Sequence, residues 1–283
     1  MAEPFVGIAP RLHAERVLLA GWGRAILLQL AHPKVAQGVL EHSHFAATPG
    51  GRIRRLRRTL DAMLALTFGT PADADRVARG IRGIHDRVHG TLGASAGGFA
   101  AGAPYSARDP ALLGWVHATL LDSFLVTYEL FVARLSEAER DRYCAESTVI
   151  GPLLGISARW LPTSAAQLRD VLAERLASGE IAVTDAARRV AREVVHPPAP
   201  WIAGPALAAA RLVTTGLLPP PIREAYGLPW SDRRAAVLRA LAAASRRALP
   251  WTPSTLRHWG VARAARARWS AKARASRSAL TRT

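Results

Sequence analysis

An all-α fold is expected for this chain of 283 residues, and three features of the sequence point to it. Ala, Leu and Arg, which lose little on entering a helix, crowd the chain. Runs of β-branched residues are scarce, and no alternating apolar and polar segment extends beyond a few residues. Pro and Gly recur at short intervals and divide the chain into helix-length stretches. A chain of this length has a soft prior of one or two domains and can bury a large core. One globular multi-helix domain over residues 11–250, followed by a basic C-terminal tail over 251–283, is the simplest organisation.

The first helix is expected over about 14–31, closed by His32-Pro33. It is the most apolar stretch, but Arg24 interrupts it and it is shorter than the ~20 residues a spanning helix needs, so it is assigned to the core. A short helix follows over 33–41, then a polar loop over 42–51 that ends in Pro49-Gly50-Gly51. Residues 52–68 form the next helix, with Gly69 as its stop. Thr70 as N-cap, Pro71 at the first helical position and Asp73 near the positive helix end start another, which runs to about residue 88. The Gly-, Ala- and Ser-rich stretch 90–104 is expected to be the most flexible loop of the domain. Asp109-Pro110 opens a long helix over 111–135, and Ser136 with Glu139 forms a capping box for the one after it. Further helices are expected near 164–178, 183–195, 203–217 and 231–248, separated by the Pro-rich stretches 197–200 and 219–221.

Composition narrows the function classes. The single cysteine, Cys144, excludes an intramolecular disulfide, argues against a Cys-based zinc site and suits a reducing, cytoplasmic setting. The first 15 residues carry two acids, Glu3 and Glu15, and no basic residue precedes Arg11, which is unlike a signal peptide. The formal charge is +17, but ten Lys and Arg and no acid lie from Arg246 onward, leaving +7 for the rest. The basicity is therefore mainly a property of the tail. Trp251, Trp259 and Trp269 are interleaved with those charges. The tail is expected to be dispensable for the chemistry, either as a solubilising segment or as a peripheral contact with an anionic membrane surface. No DNA-reading motif accompanies it, so nucleic acid is the weakest of the partner classes.

Several residues could carry chemistry. On the helix that starts at Thr70, Val77, Ile81, Ile84 and Val88 form an apolar stripe, and His85 falls on the same face. A lone histidine there is more often a hydrogen-bonded core residue than a ligand, yet neutral imidazole is the commonest haem or metal ligand. His89 lies four residues on, but Asp86 follows His85 and the zinc-protease pattern HExxH is absent. On the preceding helix Arg55 and Thr59 share a face. Arg55 there must find an anion, such as a cofactor carboxylate, or keep its head in water with the rest of the basic run 52–58. His32, His42, His44 and His117 sit in short phrases beside helix ends or within apolar helix. Ser43 and Ser123 lack the Gly-x-Ser-x-Gly elbow, and no Rossmann or P-loop glycine pattern occurs.

Taken in order, these phrases resemble one family. Leu27-Leu28-Gln29-Leu30-Ala31-His32-Pro33 leads to Gly38 and Glu41-His42-Ser43. Arg55-x-x-Arg58-Thr59, Leu66-Thr67-Phe68-Gly69 and Ile84-His85-x-x-Val88-x-Gly90 come next. Pro104-Tyr105-Ser106-Ala107-x-Asp109-Pro110 and Trp115-Val116-His117-Ala118-Thr119 complete the set. The chain resembles the MpaB-type oxygenases and the catalytic domain of rubber oxygenase over roughly residues 14–230. The resemblance implies a globin-like helical core holding one haem b, so that residues 11–250 would be a haem-binding, oxygenase-like catalytic domain. It selects His85 over His89 as the iron ligand. Arg55 and Thr59 would lie beside the haem in catalytic roles, with Arg55 also a partner for the cofactor. Arg58 stands where rubber oxygenase has a lysine, and Glu41 matches a pocket acid. The implied reaction uses O2 on an apolar, isoprenoid or other alkene-like small molecule. Two other classes remain open: a haem-binding or haem-sensing protein without turnover, and a basic helical protein that binds nucleic acid or a membrane surface.

Overall fold

The computed structural model describes residues 7–42, 49–197 and 203–280, with side chains over 7–42, 57–197 and 203–271. The protein is mostly helical, as the composition predicts. The N-terminal part holds α1 (Ile8–His13), a 3-10 turn at Arg16–Gly21, α2 (Trp22–Leu30) and α3 (Pro33–His42). The hairpin of α4 (Pro49–Phe68) and α5 (Pro71–His85) comes next, then the long α6 (Pro110–Phe131). After it come α7 (Glu137–Ser147), α8 (Ile150–Leu154), α9 (Ala165–Ala177) and α10 (Asp185–Val195). The chain continues through α11 (Gly204–Leu217), α12 (Pro220–Ala225), α13 (Asp232–Ala248), α14 (Ser254–Arg257) and α15 (Gly260–Leu280).

Helix α6 is the central element. Asp109 caps it, its carboxylate accepting the Ala111 N–H at 2.9 Å, and Pro110 occupies the first turn. Trp115, Ala118, Leu121 and Phe124 along it are buried, and α2, α9 and α13 pack around it. By length and composition α6 could cross a membrane, but 67% of its most apolar window is buried inside the protein, as befits a core helix.

Four sequence expectations change. The single helix expected over 14–31 is instead the 3-10 turn followed by α2, and α1 is a separate short helix before it. The chain is extended at Glu15, which separates α1 from the 3-10 turn, and two glycines set the packing beyond it: a Cβ on Gly21 would fall 2.1 Å from Thr127 Oγ1, and one on Gly23 2.1 Å from Thr214 Oγ1. Their bare backbones let this segment press against α6 and α11. The predicted breaker Pro49-Gly50-Gly51 lies inside the first turn of α4, where proline is tolerated; residues 43–48, with Ser43 and His44, are outside the described residues.

The third change concerns the stretch expected to be most flexible. His89–Thr91 (β1) pairs antiparallel with Pro104–Ser106 (β2), Gly90 facing Tyr105. The loop between them is tied down: Leu92 is buried and exchanges hydrogen bonds with Ala103 and Gly102. Phe99 packs on the buried His32 ring, with centroids 5.4 Å apart. The fourth change is in the tail. Ala262 and Ala265 are fully buried against Leu64 and Phe68 of α4, and Trp259 and Trp269 flank them. The first half of α15 is thus a packed element.

Candidate functional site

The α4–α5 hairpin brings the residues singled out in the sequence onto neighbouring helices. Its turn is sharply specified. A Cβ on Gly69 would lie 2.4 Å from the Ala65 carbonyl oxygen, and Thr70 and Asp73 form a full capping box at the start of α5. Arg55 lies 14 residues before Gly69 and His85 lies 15 residues after Thr70. At about 1.5 Å of rise per residue, the two positions stand at a similar remove from the turn, about 21 Å along each helix. Thr59 stands one helical turn closer to it. The side chain of Arg55 is outside the described residues, while Thr59 and Arg58 are exposed.

His85 is the last helical residue of α5 and is half-buried. The predicted inward stripe is only partly inward: Val77, Ile81 and His85 are half-buried and Ala78 is fully buried, whereas Ile84 is 55% exposed. Burial is the main reason the His85 pKa is lowered, helped by Arg108 and opposed by Asp86. The ring is therefore neutral at neutral pH, and no hydrogen bond joins it to another described residue. The segment after α5 fixes its backbone position. Val88 N–H donates to the His85 carbonyl at 3.1 Å, Ala107 N–H donates to the Val88 carbonyl at 2.8 Å, and Asp86 pairs with Arg108. His89 is exposed on β1. Among the described residues no group of three or more His, Cys, Asp or Glu could hold a metal.

The hairpin beyond His85 gathers the other sequence phrases. The buried Tyr105 ring is wedged between Gly38 and Gly90. A Cβ on Gly38 would sit 3.3 Å from its Cε2, and one on Gly90 2.7 Å from its hydroxyl oxygen. The Tyr105 hydroxyl donates to the Glu41 carboxylate, which also accepts from Gln37 Nε2 at 2.6 Å. Those two hydrogen bonds lower the Glu41 pKa, while burial first and Glu41 second raise that of Tyr105. His42 Nε2 lies 3.1 Å from the His89 carbonyl oxygen and 3.2 Å from the Tyr105 hydroxyl. The carbonyl can only accept, so this nitrogen carries a proton. Glu41 thus clamps the end of α3 to β2, the partner of the strand that leaves α5.

Three further histidines lie in the interior. His32 accepts from Lys34 N–H at 3.3 Å through Nδ1, so it satisfies an amide at the start of α3. His13, to which the sequence gives no signal, sits between Thr67 and Tyr143, its Nδ1 3.0 Å from Thr67 Oγ1 and its Nε2 3.1 Å from the Tyr143 hydroxyl. Thr67 donates its own proton to the Met63 carbonyl. Its oxygen therefore accepts from Nδ1–H, and Nε2 accepts from Tyr143. His117 is buried on α6 and its Nε2 has no hydrogen-bond partner. Burial brings all three pKa values down to about 4, and in His13 the nearby His117 adds to the effect. An imidazole in an apolar helix would ordinarily find a backbone or Tyr partner, and His117 departs from that.

A cavity of about 800 Å³ lies elsewhere, among α10, α11 and α13, and neither α4 nor α5 lines it. The His85 site is instead a half-open face of the helix hairpin.

Searches of curated proteins and of solved structures found no match. The family model described as ER-bound oxygenase mpaB/B'/rubber oxygenase, catalytic domain, matches residues 10–247. That span includes the α4–α5 hairpin, the β-hairpin with its Tyr105–Glu41 clamp, and α6. The chain belongs to the catalytic-domain family of the MpaB-type and rubber oxygenases.

Proposed function

We propose that this protein is a haem b-dependent oxygenase that uses O2 on an apolar, isoprenoid or other alkene-like substrate, with His85 as the iron ligand. The observation that carries the proposal is the neutral His85 imidazole without a described hydrogen-bond partner, at the end of the helix that follows the one bearing Arg55 and Thr59. The donor chemistry fits. A neutral ring keeps a nitrogen lone pair for iron, and exposed Ile84 beside it offers apolar surface to a macrocycle. When bound, the haem would supply the activation of O2. Arg55 would offer a guanidinium to a propionate or to developing negative charge, and Thr59 a hydroxyl donor one turn away. The β-hairpin and the Glu41–Tyr105 clamp would hold the end of α5, and with it the ligand, in place.

Pyridine haemochrome measurements on purified variants test this. His85→Ala is expected to lose haem and His89→Ala to keep it; wild-type haem content in His85→Ala rejects the assignment. Arg55→Ala and Thr59→Ala are expected to keep haem while alkene-dependent O2 consumption falls by about 10²–10³-fold, the usual cost of one donor lost from a preorganised site. Wild-type turnover in both variants would make these residues structural. One observation favours a second position for the ligand: the buried His117 Nε2 that lacks a partner. Loss of haem in His117→Gln, with retention in His85→Ala, would move the ligand to α6.

A further inference from the structure

The cavity of about 800 Å³ among α10, α11 and α13 falls within the ~300–1,000 Å³ range of small-molecule sites. Its apolar wall comprises Leu212, Leu228, Trp230, Val237 and Leu241. Val237 and Leu241, 46% and 39% exposed, stand one helical turn apart on α13 and give that wall a continuous accessible apolar strip. Beside the hydroxyls of Thr215 and Ser231, the ionisable part of the lining is all basic. Arg211, Arg233, Arg234 and His196 face the space, and none of its described lining residues carries a carboxylate.

These guanidiniums are not engaged by acids. Arg211 Nη1 lies 3.0 Å from His196 Nδ1, and Arg234 donates to the Pro229 carbonyl. Among the described residues no carboxylate forms a salt bridge with Arg211, Arg233 or Arg234. A smaller cavity of about 270 Å³ shares Val195, His196 and Leu228 with the first and adds Arg188 and Arg192. Among the described residues the acid paired there is Asp185, 3.2 Å from Arg188. A cleft with an aliphatic wall and a cluster of uncompensated guanidiniums is complementary to a molecule of the opposite construction.

We propose that this cleft binds an anionic amphiphile, its apolar chain against Leu212, Leu228 and Leu241 and its carboxylate or phosphate head held by Arg211 and Arg233. The site is separate from the His85 face, which α4 and α5 carry, and it does not depend on the haem assignment.

Titration of the full-length protein with cis-parinaric acid, followed by fluorescence at physiological ionic strength, tests the site directly. Saturable binding is expected. Oleate and dodecyl phosphate are the two competing arms, and whichever displaces the probe more strongly names the head group; oleyl alcohol, of similar chain but neutral, is expected not to compete. Arg233→Gln, at an exposed position, and Arg211→Gln are each expected to weaken binding roughly ten-fold, as loss of a charge-assisted hydrogen bond should. Leu241→Trp, which fills the cleft, is expected to abolish binding. Arg239→Gln removes the same charge from α13 outside the cavity and is expected to leave affinity unchanged. Absence of saturable binding, equal competition by oleyl alcohol, or equal weakening by Arg239→Gln and Arg233→Gln would each overturn the proposal. If Arg211→Gln fails to fold, Arg233→Gln and Leu241→Trp still decide it, with circular dichroism confirming that they are folded.

Discussion

At the scale of single residues, the hydrophobic pattern gives little warning of the most consequential positions. Arg24 interrupts an apolar stretch and looks like a flaw in a core helix. It is in fact buried, donating to the Leu217 carbonyl at 2.7 Å, to Ser123 Oγ at 2.7 Å and to Asp122 at 2.5 Å. Removing one partner of such a pair strands the other, which typically costs about 3–5 kcal/mol. Arg24→Ala is therefore expected to lower the urea midpoint sharply, and a change within measurement error would show that the pair is dispensable. Gly90 is a second case. Its place at the head of a Gly-, Ala- and Ser-rich stretch suggests only a loop, but the Tyr105 ring covers it so closely that a methyl group must push the ring aside. Gly90→Ala is expected to destabilise the protein by about 1–3 kcal/mol, the usual range for overpacking. It should also loosen the Tyr105–Glu41 hydrogen bond, so that the Glu41 carboxyl titrates closer to its ordinary range, which NMR can follow.

At the scale of elements, the sequence is legible where local chemistry decides and illegible where tertiary contact does. The Thr70 N-cap and the capping box of Ser136 with Glu139 form as predicted, because N-cap hydrogen bonds involve only residues three apart, and Asp73 completes a second box by accepting from the Thr70 backbone. The β-hairpin is not legible, because its strands are three residues long and its stability comes from Tyr105 packing on Gly38 of α3. Helix α15 is missed for a related reason. Its buried positions are alanines, which carry too little apolar surface to mark a face but let the helix approach α4 closely. The preceding α14 segment adds a buried ion pair: Arg257 Nε reaches both oxygens of Glu15 at 2.8 and 2.9 Å, and Glu15 is only 3% exposed. Burial alone would raise the Glu15 pKa, but hydrogen bonds from His258 and Arg257 hold it lowered. Deleting residues 250–283 would leave that carboxylate buried without its partners. The truncated chain is expected to lose several kcal/mol of stability, and Arg257→Ala alone to reproduce much of the loss. An unchanged thermal midpoint in both would mean that the segment is the dispensable tail its composition suggests. For the candidate site, Arg55, Thr59 and His85 are legible through their order along the chain. That the first and last stand at a similar remove from the turn is legible only once the Gly69–Thr70 turn fixes where the hairpin folds.

At the scale of the whole molecule, three neutral imidazoles make the fold acid-sensitive well above the range where carboxylates titrate. His13, His32 and His117 titrate near 6.5 when unfolded and near 4 in the fold. Between those values the unfolded chain binds more protons than the native one, so stability falls as pH falls; above 6.5 the three contribute no slope. Each unit of displacement is worth about 1.4 kcal/mol, so several kcal/mol are at stake, though not three independent shares. His13 and His117 repel one another once charged, so the first proton makes the second harder to add. Glu15 works in a lower window. Its lowered pKa contributes stability that is present above its unfolded value of 4.5 and is lost as pH falls through the folded value. Urea midpoints measured from about pH 7 down to about pH 5 are expected to fall steadily, before any carboxylate is substantially protonated. His117→Gln removes one of these protonation sites, so its midpoint should fall less over the same range, even if its stability at pH 7 differs from wild type. A wild-type midpoint that stays level over this interval would mean that water reaches these rings and that the interior is less closed around α6 than the buried, unpartnered His117 Nε2 implies.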